Sequence, residues 1–239
     1  QLEGDVSDLQ GDIQQQLRPD LRLLVMSATL DGERIAGQLD APRLSSEGRS
    51  FPVETAHFPA RKDEPLIAQC RRAVEMALGQ HPGDVLVFLP GQREIQNLQD
   101  ALMPLATAQL EVLPLHGDLP VEQQSRVLQP AGNGVRRVVV ASNVAESSVT
   151  LPGVRTVIDS GLAREPRFDP NSGFSRLQTV SISQASADQR SGRAGRVSSG
   201  WCYRLWPASQ RLEPMRRAEI QHSELSSLAL ELAAWGGTD

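Results

Sequence analysis

Strand-like apolar runs alternate with helix-period segments along most of this sequence, the pattern of βα units that build a mostly parallel sheet with helices on its faces. The runs VLVFL (85–89), LEVLPL (110–115), VRRVVVA (135–141) and VRTVI (154–158) are nearly continuous in apolar residues. Strands covered on both faces read that way. Further strands are expected at 21–26, 51–58 and 201–206. Helices are expected at 65–78, 92–105, 120–128, 185–196 and 224–235, with a short one opening at Leu30. The rhythm breaks at 163–182, where two extended segments flank Asp169-Pro170-Asn171-Ser172-Gly173. That turn-forming cluster predicts a β-hairpin inserted into the α/β order. The polar stretch SSEGRS (45–50) marks a domain boundary.

Composition narrows the class. The chain has 239 residues, 39% hydrophobic and 22% charged, which suffices to bury a core. No stretch approaches the roughly 18 to 20 uninterrupted apolar residues of a membrane-spanning helix. The opening QLEGDVSDLQGDIQQQL lacks the basic-then-apolar order of a secretory signal, and reads as the middle of a longer protein. Two cysteines, Cys70 and Cys202, make neither a disulfide framework nor a four-ligand zinc site, so a cytoplasmic protein without a bound metal of its own is expected. A net charge of −5 argues against a simple cationic coat for nucleic acid. Of 24 basic residues only Lys62 is a lysine. The rest are guanidinium forks, suited to bidentate phosphate contact or a mark of a GC-rich genome.

Chemistry concentrates at strand ends. In Gln189-Arg190-Ser191-Gly192-Arg193-Ala194-Gly195-Arg196, a helix would set Gln189, Arg193 and Arg196 at i, i+4 and i+7 on one face. An amide and two guanidiniums in one stripe, with Gly192 and Ala194-Gly195 allowing close backbone approach, can receive a polyphosphate; a solvated helix face has the same spacing. Ala141-Ser142-Asn143-Val144-Ala145-Glu146-Ser147-Ser148-Val149-Thr150 follows a strand directly. Its hydroxyls and amide lie where parallel sheets hold ligands, and the same groups could instead cap a turn. Ser27-Ala28-Thr29 and His116-Gly117-Asp118-Leu119-Pro120 follow two other strands.

SAT, then FLPG (88–91), HGDLP, ASNVAESSVTLPGV and QRSGRAGR, in that order and spacing, resemble the motifs of the DEAH-box family of superfamily 2 helicases. MSATLDGERIAGQL, SEGRSFPVE, FLPGQREIQ, RFDPNSGFSRL and LALELAAWG strengthen the likeness. The resemblance implies a RecA-like parallel sheet flanked by helices with an inserted β-hairpin. Residues 1–45 would end a first RecA-like domain, 46–212 form the second, and 213–239 begin a winged-helix region. It further implies an ATP-dependent RNA helicase with ATP and Mg²⁺ as cofactors, and with single-stranded RNA, or DNA in its place, gripped through its backbone.

Roles follow by position from that resemblance. Gln189, Arg193 and Arg196 match the γ-phosphate contact and the arginine fingers, which stabilise charge developing in phosphoryl transfer. Ser148 and Thr150 match groups that sense the nucleotide or hold its ribose. Ser142, Gly117, Pro90 and Gly91 match contacts to the RNA backbone, and Ser27 and Thr29 the motif that couples hydrolysis to strand movement. The hairpin matches a wedge for stacked bases. Two positions depart from the pattern. Ser142-Asn143 stands where Thr-Asn is usual, and Leu128 leaves no aromatic side chain to stack on adenine. No G-x-x-x-x-G-K-[ST] loop is present, because Lys62 precedes Asp63-Glu64, and no Asp-Glu-x-His occurs. The chain therefore reads as the arginine-finger half of an ATPase, inactive alone, with the other half upstream. The competing reading is a non-catalytic module that binds nucleic acid or a protein; a Rossmann dehydrogenase fails for want of G-x-G-x-x-G after a strand.

Overall fold

The run VLVFL becomes the centre of a six-stranded parallel sheet in a computed structural model of the chain, which describes residues 36–37, 41–44, 51–147, 149–169, 174–215, 230–231 and 233–235. The chain divides into two compact units, Gln1–Gly48 and Arg49–Asp239. In the first, Ala36 and Gly37 are helical, and the amide of Ala41 donates to the Ala36 carbonyl at 3.1 Å. The expected strand at 21–26, the helix opening at Leu30, and Ser27 and Thr29 lie outside the described residues. Of the expected final helix, Leu230, Glu231, Ala233 and Ala234 are described and helical.

The second unit runs β1 (Val53–His57), α1 (Leu66–Gln80), β2 (Asp84–Phe88), α2 (Gln92–Leu102), β3 (Leu110–Leu115), α3 (Val121–Leu128), β4 (Arg136–Ala141), α4 (Val144–Ser147), β5 (Val154–Asp159), β6 (Leu162–Asp169), β7 (Phe174–Ser181), α5 (Gln184–Gly192) and β8 (Gly200–Arg204). Short 3₁₀ turns, Met103–Leu105 and Arg193–Gly195, follow α2 and α5. The sheet order is β1-β8-β5-β2-β4-β3, with every pairing parallel. β6 and β7 form a separate antiparallel hairpin, with Arg167 directly opposite Arg176. This is a RecA-like α/β fold.

Every residue of β2 is buried, and its alternation feeds both cores. Val85 and Val87 join Cys70, Val74, Leu98 and Leu102 beneath α1 and α2. Leu86 and Phe88 join Leu115, Val127, Val157 and Cys202 on the other face. A central strand covered twice must be apolar at every position, which is why this run carries no alternation. β3, at the sheet edge, contains Pro114, which has no N–H to offer a further strand.

At the amino ends of the strands the arginines have structural tasks. Arg137 pairs with Asp84 at 3.0 Å, both nearly buried, and caps the carbonyls of Val127, Gln129 and Pro152. Arg136 binds the carbonyls of Leu78, His81 and Gly83. Part of the guanidinium-rich composition thus closes loops rather than meeting phosphate. The two thiols are packed side chains. Burial pushes Cys70 and Cys202 each up to about 12, which leaves them unreactive near neutrality.

Candidate functional site

Parallel strands deliver their following loops to one edge of the sheet, and the expected site segments of the second unit collect there. Their roots are laced together by main-chain bonds. Leu89 N–H donates to the Ala141 carbonyl at 2.8 Å, Ser142 N–H to that of Leu115 at 3.0 Å, and Ser160 N–H to that of Phe88 at 3.2 Å. The loops after β2, β3, β4 and β5 therefore leave the sheet as one fixed group.

The expected helix at 185–196 ends early. α5 is capped by Ser183, whose hydroxyl accepts from the Ser186 amide at 3.2 Å, and it stops at Gly192. The chain then tightens into the 3₁₀ turn, so Gln189, Arg193 and Arg196 do not share one straight α-helical stripe. The cause lies in the packing of this turn. A Cβ on Gly195 would lie 2.5 Å from the Phe51 carbonyl oxygen, so the backbone is drawn against β1, whereas a Cβ on Gly192 would meet nothing within 4 Å. Of the two glycines, only Gly195 makes a close approach.

The three side chains consequently differ in setting. Gln189 is half-buried, and its amide makes no hydrogen bond among the described residues. Arg193 is buried and donates to the carbonyls of Glu146 and Val149. Burial, and then the charge of Arg196, push its guanidinium down to about 10 against the pull of Glu146. Arg196 is exposed and donates to Thr150 Oγ1 at 2.8 Å. Both arginines are thus held by neutral acceptors. The carboxylate of Glu146, which also acts on Arg193, is bound by Arg190 at 2.9 Å and by the Ser186 hydroxyl. Arg196 thus presents its guanidinium at the surface beside Thr150, where it can receive an anion.

Arg190 carries the largest fully buried side chain. It pairs with Asp159 at 2.9 Å as well as with Glu146, donates to the Leu162 carbonyl at 3.2 Å, and lies 4.8 Å from the Phe88 ring centre. Burial raises the pKa of Asp159 while Arg190 and the Gly161 amide pull it back. Reading by helical phase passed Arg190 over, because its partners stand 44 and 31 residues away.

The remaining positions spread along the same edge. Ser142 is half-buried and Asn143 exposed. The Ser142 carbonyl accepts from Ala145 N–H at 3.2 Å, and its hydroxyl lies 3.5 Å from Val144 N, so the segment also caps α4. Gly117 is exposed, in a loop held by Gln92, whose amide donates to Asp118 at 2.7 Å and touches His116 Nδ1 at 3.1 Å. Pro90 and Gly91 are buried. Arg164 of the hairpin lies over Gly91, its Nε 2.8 Å from where a Cβ would stand, and pairs with Glu94 at 3.5 Å. Contact with a nucleic-acid backbone at Gly91 would require Arg164 to move. Thr150 is exposed, and Ser148 lies outside the described residues. Among the described residues no three His, Cys, Asp or Glu side chains group as metal ligands. No described helix is long and apolar enough to cross a membrane.

Residues 68–198 match the model of the helicase conserved C-terminal domain. The chain is 43% identical over 231 residues to the ATP-dependent RNA helicase HrpB of Escherichia coli (strain K12), covering 95% of this chain and 29% of that protein. It is 41% identical over 232 residues to the pre-mRNA-splicing factor ATP-dependent RNA helicase prp22 of Schizosaccharomyces pombe (strain 972 / ATCC 24843), covering 93% of this chain and 20% of that protein. A crystal structure of the Escherichia coli DEAH/RHA helicase HrpB superimposes with a TM-score of 0.90 at 41% identity, over 99% of this chain and 30% of that one. A second, titled as the E. coli DExH-box NTPase HrpB, gives 0.85 at 43% identity, over 95% and 29%. The chain spans less than a third of these relatives. With this fold, these motifs and this coverage, the chain belongs to the helicase conserved C-terminal domain family, and it is similar in sequence and fold to HrpB.

Proposed function

We propose that this chain is the arginine-finger half of an ATP-dependent RNA helicase, in which residues 46–212 form the second RecA-like domain. Residues 1–45 end the first such domain, and 213–239 begin a winged-helix region. The observation that carries this reading is the pair Arg193 and Arg196, which carry positive charge held by carbonyls and a hydroxyl. Arg193 is held by carbonyls much as the loop-closing Arg136 is, but Arg196 is exposed and donates to a hydroxyl, so its guanidinium retains its attraction for phosphate.

In this mechanism a phosphate-binding domain earlier in the full-length protein would hold ATP and Mg²⁺, the metal supplying charge neutralisation of the phosphates when bound. Arg196, exposed at the end of the 3₁₀ turn, reaches the γ-phosphate when the two domains close. Arg193 fixes the 146–150 segment through two carbonyls, which places Thr150 toward the nucleotide, and Ser148 has the family role of sensing it. Gln189, whose amide bonds to none of the described residues, orients the terminal phosphate or the attacking water. Stabilising charge that develops only in the transition state is what raises turnover. Ser142 and Gly117, on the same strand-end surface, touch the backbone of single-stranded RNA, or of DNA in its place, without reading sequence. Pro90 and Gly91 join them once Arg164 withdraws, and Ser27 and Thr29 pass closure on to the strand. The β6–β7 hairpin acts as the wedge. The protein works in the cytoplasm.

The test is reconstitution. The 239-residue chain is assayed for RNA-stimulated ATP hydrolysis alone, and again with the separately expressed domain that precedes it. Activity only on mixing supports the reading. Demonstrated association of the two halves without turnover, RNA binding being retained, favours a non-catalytic module instead.

A further inference from the structure

One buried side chain serves neither phosphate nor RNA in that mechanism. Arg190 joins α4 through Glu146, the end of β5 through Asp159, and the first residue of the hairpin through the Leu162 carbonyl. Glu146 in turn presents its main-chain carbonyl to Arg193. A single guanidinium thus stands between the turn that carries Arg193 and Arg196 and the root of the hairpin.

Stability does not explain the arrangement. A buried arginine between two carboxylates carries a desolvation cost that apolar packing would avoid, and the node is incompletely bonded. Arg190 Nη2 and Asp159 Oδ2 are both buried, and neither has a hydrogen-bond partner among the described residues. Nη1 already meets Oδ1 at 2.9 Å. Bringing Nη2 onto Oδ2 would complete a two-bond fork, the stronger geometry for this pair. The node thus has room for a second, bidentate arrangement, and coupling between sites needs an element with two discrete states.

We propose that Arg190 is a positioning residue that couples the 144–150 segment to the hairpin root, by exchanging between the pairing seen here and a bidentate pairing with Asp159. Its functional meaning rests on the nucleotide reading above, and its geometry does not.

The experiment uses full-length protein and two conservative variants, with amide hydrogen exchange read by mass spectrometry. Asp159→Asn keeps one oxygen for Nη1 but sets an NH₂ against Nη2, which blocks the fork. Glu146→Gln weakens the other anchor. Without nucleotide, Glu146→Gln raises exchange at 162–164 about tenfold, Asp159→Asn does so at 144–147, and the double variant adds little to either. Effects confined to the mutated side, and additive, would overturn the proposal. With Mg²⁺ and a non-hydrolysable ATP analogue, wild-type protein changes its exchange at 162–164. Asp159→Asn loses that change while binding the analogue within about threefold of wild type. A hairpin root that still responds in Asp159→Asn overturns the coupling. A wild-type protein that binds no nucleotide overturns the function proposed above instead, and leaves the nucleotide-free comparison to decide this one.

Discussion

Arg196 donates to the Thr150 hydroxyl at 2.8 Å, tying the end of the 3₁₀ turn to a segment 46 residues earlier. The bond aims an exposed guanidinium without neutralising it. Replacement of Arg196 by Ala in the full-length protein is expected to lower RNA-stimulated ATP turnover by about a thousandfold, the scale of an arginine finger. RNA affinity, measured by fluorescence anisotropy, stays within about twofold, because this guanidinium acts on the transition state of hydrolysis and not on the bound strand. Arg196→Lys recovers little, since an ammonium lacks the planar fork. Turnover unchanged in Arg196→Ala would remove the assignment.

Gly192 and Gly195 sit in one motif and are expected to respond oppositely. A Cβ at Gly195 would meet the Phe51 carbonyl oxygen at 2.5 Å and Val53 Cγ2 at 2.8 Å, so Gly195→Ala costs about 1–3 kcal/mol. Gly192 has a helical φ of −57° and open space around it, and Gly192→Ala is neutral or stabilises by up to about 1 kcal/mol. Urea denaturation of the two variants measures the contrast; equal destabilisation would contradict the packing described for this turn.

Asp84 and Arg137 form a buried pair whose partners cannot be removed singly. Asp84→Ala strands a guanidinium with side-chain exposure of 3%, and is expected to cost about 3–5 kcal/mol. The double change Asp84→Ala, Arg137→Met should restore much of it, because no buried charge is then left unpaired. Chemical denaturation of the single and double variants checks this, and a double variant no more stable than the single would count against it.

His81 stacks on Trp201 with ring centres 4.1 Å apart and lies 2.5 Å from the Tyr203 hydroxyl. Burial lowers its pKa, with Arg136 and Arg155 acting in the same direction against Glu54. Protons are therefore bound more readily in the unfolded chain. The stability that His81 contributes is fully present above its unfolded pKa of about 6.5, and is lost as pH falls through the lower folded value. Thermal midpoints from pH 7.5 to 5 should fall less steeply in His81→Gln than in wild type; parallel slopes would show that His81 does not titrate in this way.

The fold was legible because burial on two faces writes itself into local composition. VLVFL has no room for a polar residue, and 110–115 starts and stops where LEVLPL does. The hairpin announced itself through Asp169-Pro170-Asn171-Ser172-Gly173, with β6 and β7 on either side. The motif segments also gathered at one edge, since a parallel sheet leaves no other place for successive strand ends. The side-chain arrangement was less legible. Helical spacing put Gln189, Arg193 and Arg196 on one stripe, but the approach of Gly195 to Phe51 is a tertiary contact, and it winds the chain into a 3₁₀ turn. Arg190 escaped notice for the same kind of reason: its carboxylates lie on α4 and β5, and nothing within the motif points to them. Gln92 holds the loop of Gly117 from the start of α2, an amide with no local signal at all.

Pro114 in the edge strand β3 affects how copies of this molecule behave toward one another. An open parallel sheet ends in rows of unused donors and acceptors, a template onto which another chain can add. A residue without an amide proton interrupts the row on that side, and on the opposite side β1 is only five residues long. Neither border offers the long, regular track that fibrous self-association follows. Growth of this sheet by strand addition is thereby disfavoured at both borders, at one of them through one ring closure in a strand of six residues.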